Sequence, residues 1–540
     1  MRAQRMSVAP TRLLLRALIR NIEQSFHSST HLGETEAFLH RMRKHFVWYD
    51  SLLVRLSCCT DCPVDVNNLA VKMIGQMVYE LIEPVKGLCE GTTERIPFVL
   101  ATYLNHEFRC LCPISPSAQP DIREGIALFP VPNLNYFYVD VGWKVSAVFE
   151  GLDQRLESNV LKPLSMTGFG PAPSFPPALI LVGFQYAMVE DMLFNTVLFH
   201  ELGHHIFAIR FEKLYRQRLR PALDKAFKAQ VARYKTFNPK DRDVFLDTHL
   251  EMLISWADEL FSDLTAAALV GPQFAFALHD LSIPHDEPRT FTMSHPADEF
   301  RAQQLWELLT KAGWLRKRRQ YRSAPRLELV FEREAHKAFQ QLKPGKPPSL
   351  NQWIVRGLPR DAPILIHQLT KECQRLRQDA LKVVTDARER AREFWLLGPG
   401  VFDAFKRWVV PSTIITSKRL GGLPHYGSTD IPMGRRRVNR YHPRPSTVMN
   451  VARVICQSGL SLGDEPSPSG QYPASSVDPS KPITPERISQ WTQKAVADWL
   501  LIKDSTHGVR EIPSQAAAVP PHQSQESSGD NTALASAGGA

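Results

Sequence analysis

An apolar spacing of three to four residues runs through Met188, Met192, Leu193, Val197, Phe199, Leu202 and Ile206. That spacing predicts a buried helix over about 187–210. Its second half, "LFHELGHHIF" (198–207), nevertheless carries His200, Glu201, His204 and His205. Ionisable groups inside a core are costly unless each finds a partner. Residues four apart share a helix face, so His200 and His204 can present two imidazoles to one ion, with Glu201 beside them. His205 points about 100° away from His204 and is expected to pack elsewhere.

A catalytic zinc site takes three protein ligands and leaves one position open. The third ligand is expected on a later helix. The stretch "VFLDTHLEMLISWADELFSDLTAAALV" (244–270) reads as that helix, and "GP" (271–272) stops it. Glu259 and Asp263 are four apart within it. Glu259 is the expected ligand, and Asp263 is expected to accept a hydrogen bond from the far nitrogen of a ligand histidine, His200. The rival ligands are Asp258 and Glu251, which have Ser262 and Ser255 four residues on instead of an acid. His249 and His285 are expected at the surface. Glu201 is the residue type that takes a proton from a metal-activated water and passes it to a leaving amine.

His-Glu-x-x-His followed by Glu-x-x-x-Asp on a later helix resembles the gluzincin class of zinc peptidases. A third block, "SHPADEFRAQQL" (294–305), resembles a segment of the HtpX and CaaX-prenyl-protease family, in which a histidine and an arginine six residues later lie near the active site. That resemblance implies that His295 helps hold the substrate carbonyl or oxyanion. It also implies that Arg301 holds the second helix or its acid in place. The first two blocks resemble the small ImmA/IrrE-type peptidases as well. The resemblance covers roughly residues 178–310. Two departures stand out. The HtpX and CaaX-prenyl-protease family is largely membrane-embedded, whereas no apolar run here approaches the ~20 residues of a membrane span. The segment also reads His-Pro-Ala where that family has a second proline. Together the resemblances imply a zinc metallopeptidase acting on a protein or peptide substrate, with Glu201 and His295 in catalysis, His200, His204 and Glu259 on the metal, and Asp263 and Arg301 behind them.

At 540 residues the chain is too long for one ordinary domain. The expected fold class is α+β: a mainly helical, gluzincin-like domain with a small sheet over 96–315. It is flanked by a helical region, 1–95, and a helical domain, 316–410. A basic, Pro/Ser-rich, largely disordered region is expected over 411–540, with one helix near 484–503. Other helices are expected at 65–82 (Asp65 as a possible cap), 211–236, 297–312, 329–342 and 364–396. The β-type runs are "IPFVLATYL", "IALFPV", "NYFYVDVGW" and "ALILVGFQ"; the last precedes the histidine helix as a candidate substrate-binding edge strand.

Eight cysteines in this length argue against a disulfide scaffold. "CCTDC" and "CLC" fit a zinc ribbon poorly and read as reduced thiols. The N-terminus is rich in Arg and poor in acid, without the apolar stretch of a secretory signal; an amphipathic helix is expected over the alternative, a mitochondrial-type presequence, and with it a cytoplasmic location. The net charge of +10 concentrates in "RKRR" (316–319) and "GRRRVNRYHPRP" (434–445). Such segments suit an anionic partner. A second reading follows from them: a non-catalytic or regulatory metal-binding module in a basic protein that docks on nucleic acid or an acidic partner. Glu201 discriminates between the two, because a structural metal site needs no general base.

Overall fold

In the computed structural model the described residues are 5–28, 33–59, 62–91, 98–111, 126–133, 139–141, 152–162, 178–185, 191–231, 239–282, 287–315, 326–357, 361–406, 443–458 and 484–510. They are mainly helical. Residues 1–500 form one compact unit and 501–540 a second.

The chain opens with three helices, α1 (Ala9–Ser28), α2 (Gly33–Cys58) and α3 (Val64–Glu90). Their apolar stripes, including Leu15, Phe46, Leu53, Ile74 and Leu81, close a core of their own together with Leu152, Leu156 and Val160. Asp65 lies inside the first turn of α3; Pro63 occupies the cap position and no side chain caps the helix.

Next comes α4 (Phe98–Leu111). The run "IPFVLATYL", which reads as β-type, is helical through its described residues. Leu100, Tyr103, Leu104 and Phe108 fall on one helical face and are buried. Burial of that face overrides the strand preference of its aromatic and branched residues, which depends strongly on context. Three strands follow: β1 (Ile126–Asn133), β2 (Val139–Val141) and β3 (Ala178–Gln185). The sheet order is β1-β3-β2, with β3 parallel to β1 and antiparallel to β2. "ALILVGFQ" is therefore the middle strand of this sheet and not its edge.

The helices that carry the site are α5 (Leu198–Arg210), α6 (Glu212–Val231), α7 (Pro239–Val270), α8 (Pro272–Ser282) and α9 (Asp298–Ala312). α5 starts well after 187. A 3-10 turn, Phe194–Val197, leads into it, and Asp191 Oδ1 accepts the Phe194 N–H at 2.9 Å. α7 stops at Gly271, whose φ of 72° is left-handed. A Cβ there would also strike the Trp314 ring at 2.7 Å. A two-stranded parallel ribbon, β4 (Thr290–Phe291) with β5 (Ile354–Val355), ties the approach to α9 to a later loop.

Behind these lie α10 (Arg326–Gln340), α11 (Ala362–Val383), α12 (Ala387–Lys406), α13 (Pro445–Ser458) and α14 (Pro485–Arg510). The helix read over 364–396 is two. Val384 leaves helical geometry, and the β-branched run Val383-Val384-Thr385 before Asp386 marks the break. One apolar core runs from α4 to Leu500, so neither 315 nor 410 divides it. Within the region expected to be largely disordered, 445–458 is a helix whose Thr447, Asn450 and Val451 are fully buried. Arg444, from one of the basic segments, sits among carboxylates: its Nε lies 3.1 Å from Glu393, and it also pairs with Asp386. The RKRR segment, His285 and the Pro/Ser-rich stretch 459–482 lie outside the described residues. No described helix is long and apolar enough to cross a membrane. The seven described cysteines are free.

Candidate metal centre

The centre forms where α5 crosses α7. Gly203 makes the crossing close: a Cβ on it would lie 2.8 Å from Ser262 Cβ and nearer still to Ser262 Cα. A glycine in the His-Glu-x-Gly-His turn thus lets the two backbones meet. His200 and His204 lie on one side of that contact, and the acids of α7 face them.

Among the described residues, one group of side chains is arranged to hold a metal: His200, His204 and Glu259. His200 Nε2 is 3.4 Å from Glu259 Oε2, and His204 Nε2 is 3.6 Å from Oε1. Four-coordinate zinc with bonds of about 2.0–2.1 Å holds its ligand atoms about 3.3–3.4 Å apart. Glu259 Oε2 is buried and has no hydrogen-bond partner. A buried carboxylate oxygen left this way is where a cation fits.

Charge points the same way. Asp258, Glu259 and Asp263 bring three carboxylates to the crossing, against one guanidinium, Arg301. With no metal, protons on the histidines must balance the surplus. Burial opposes protonation of His200, but the Glu259 charge and the Asp263 hydrogen bond outweigh it and raise its pKa to about 10. His204 is raised as well: burial and the His200 charge oppose protonation, and Asp258 and Glu259 overcome them. Burial pushes Glu259 up, while His200 and Arg301 bring it below the usual carboxylate range. A divalent ion can take the place of those protons.

Partners lie behind each ligand. His200 Nδ1 donates to Asp263 Oδ1 at 2.8 Å. Asp263 is almost fully buried and receives Arg301 through two hydrogen bonds of 2.7 Å, from Nε and Nη2. Burial raises the Asp263 pKa, but Arg301 and His200 bring it below its ordinary value. Arg301 Nη2 also reaches Glu259 Oε2 at 3.6 Å. Asp258, considered above only as a rival ligand, stands 2.9 Å from His204 Nδ1, on the far side of that ring from Nε2. Spacing along α7 alone does not single it out. The other rival, Glu251, is exposed and pairs with Arg216 at 2.7 Å.

His295 is half exposed, with Nε2 3.3 Å from Glu259 Oε1. Ser294 Oγ lies 2.7 Å from its Nδ1. The turn that carries it is firm. Thr292 N–H donates to His295 O and His295 N–H to Thr292 Oγ1, each at 2.9 Å. The buried Trp256 of α7 donates its ring N–H to Thr292 O at 2.9 Å. Glu201 is buried, and no hydrogen bond or ion pair ties its carboxylate to another described residue.

Two histidines lie outside the centre. His205 packs edge-on against Phe108, and burial lowers its pKa to about 4. His249, read as a surface residue, is buried: its Nδ1 is 2.7 Å from Phe245 O and its Nε2 3.3 Å from Asp361. α11 begins directly after Asp361, and its packing on α7 covers that face. Cys58, Cys59 and Cys62 belong to no metal group among the described residues.

No family model, no curated protein and no solved structure matches this chain.

Proposed function

We propose that the chain is a zinc metallopeptidase of the gluzincin type. One observation carries the reading: Glu201, a buried residue next in sequence to His200 on the same helix, has no described partner. A site that only held a metal would need no such group and would fill its fourth position with protein. The crossing of one helix bearing His-Glu-x-x-His with another bearing Glu-x-x-x-Asp supports the gluzincin arrangement.

Two imidazoles and a carboxylate suit zinc, held by His200, His204 and Glu259. When bound, zinc acidifies a water and polarises a carbonyl. Glu201 takes a proton from the attacking water and delivers it to the leaving amine. Asp263, kept ionised by Arg301, fixes the His200 ring so that Nε2 faces the metal position. His295 supplies a ring N–H toward the oxygen of the substrate carbonyl as charge develops there.

The test is Glu201→Gln in the full-length chain. It should keep the metal and the melting temperature of the parent and lose nearly all hydrolysis of a peptide library. Turnover equal to the parent would rule out this role and with it the peptidase mechanism.

A further inference from the structure

α7 gives each ligand histidine a carboxylate of its own. Asp263 accepts the His200 Nδ1–H at 2.8 Å, and Asp258 stands 2.9 Å from His204 Nδ1. A carboxylate can only accept, so the proton of each ring sits on Nδ1. Once an ion displaces the second proton of each ring, the lone pair is left on Nε2, the nitrogen that faces Glu259 in both cases. The two acids differ in how they are held. Asp263 is buried and clamped by Arg301, whereas the Asp258 side chain is 29% exposed. Among the described residues its one further hydrogen bond is from the Ser262 hydroxyl, 3.5 Å from Oδ1. Ser262 is also the residue packed against Gly203, so the close contact of the two helices and the anchor of Asp258 are one residue.

We propose that Asp258 is a positioning residue for the second ligand histidine: it fixes the tautomer and orientation of the His204 ring and thereby sets the metal affinity of the centre. The inference rests on the metal reading above and extends it. Asp258 cannot itself be the third ligand while it holds this place, because the imidazole ring stands between its carboxylate and the Nε2 face. Its partial exposure makes it the weaker of the two supports, so its loss should loosen the site without unfolding it.

The experiment uses the full-length chain with Zn2+ under chelator competition, and Co2+ as an absorbing substitute. Asp258→Ala should weaken Zn2+ binding about 10–100-fold. It should also alter the visible Co2+ bands while leaving the melting temperature of the metal-free protein unchanged. Asp258→Asn should lose less, because its side-chain oxygen can still accept from Nδ1. Glu251→Ala, removing an exposed acid on the same helix, should change neither, which separates positioning from general negative charge. Parental affinity in Asp258→Ala overturns the proposal and leaves the metal reading standing. A loss of affinity matched by a lowered metal-free melting temperature also overturns it, because Asp258 would then act on the fold. A parent chain that binds neither ion overturns the metal reading and this proposal together.

Discussion

Gly203 of α5 lies directly against Ser262 of α7, with no room for a methyl group between them. Both neighbours of that contact are backbone-bound, so neither can swing aside. Gly203→Ala should force α5 and α7 apart and cost about 1–3 kcal/mol, as overpacking does. It should also weaken metal binding, since the separation pulls both histidines from Glu259. Denaturant midpoints and chelator competition measure the two effects, and a variant with the parent's values in both would show that the crossing relaxes freely.

His200→Ala and Glu259→Ala should each abolish stoichiometric metal in the purified protein, read by elemental analysis. His295→Ala should keep the metal and slow turnover on the order of 100–1,000-fold, the usual effect of losing an oxyanion donor. If both ligand variants retain one metal per chain, the ion sits elsewhere.

Arg301→Met should strand the Asp263 carboxylate inside the protein. Breaking a buried pair by removing one partner costs about 3–5 kcal/mol. The loss should appear in chemical denaturation, with metal affinity falling alongside because Asp263 no longer holds His200 firmly. Stability within error of the parent would mean that water reaches Asp263.

A chain ending at residue 406 should be insoluble and metal-free. The reason is Asn450, whose side-chain N–H groups donate to Val270 O and Ser446 O at 2.6 and 2.7 Å, while its Oδ1 accepts from Gln273 N at 2.9 Å. It caps the end of α7 and the start of α8 from a distant segment. The milder change Asn450→Ala leaves two buried backbone groups unpaired and should cost about 1–3 kcal/mol for each. Soluble, metal-binding protein from the truncated chain would refute this account of the core.

Much of the centre was legible because its information is local. His200 with His204, and Glu259 with Asp263, are pairs one helical turn apart, and a turn's spacing needs no knowledge of the fold. The Gly-Pro stop of α7 is equally local. Asp258, Gly203 and Asn450 escaped because each acquires its role from a partner far along the chain. Asp258 faces His204 only through the angle at which two helices cross. Gly203 reads as a weak helix former until Ser262 lies against it. α4 read as β-type because its residues suit strands, and only burial against α5, with Tyr103 on Phe199 and Phe108 on His205, decides otherwise. His249 was misplaced for the same reason, its cover coming from Phe227 and Asp361.

The bond from Asn450 to Val270 spans 180 residues. On a ribosome adding ~5–20 residues per second, roughly ten to thirty-five seconds separate the emergence of α7 from that of its cap. During that interval the histidine and acid helices exist without the segment that closes their core. Contacts this far apart in sequence also slow folding after release. The nascent chain therefore passes through a long-lived state with exposed apolar helices, in which chaperones and proteases compete for a protein that has its histidine and acid helices but not yet its finished interior.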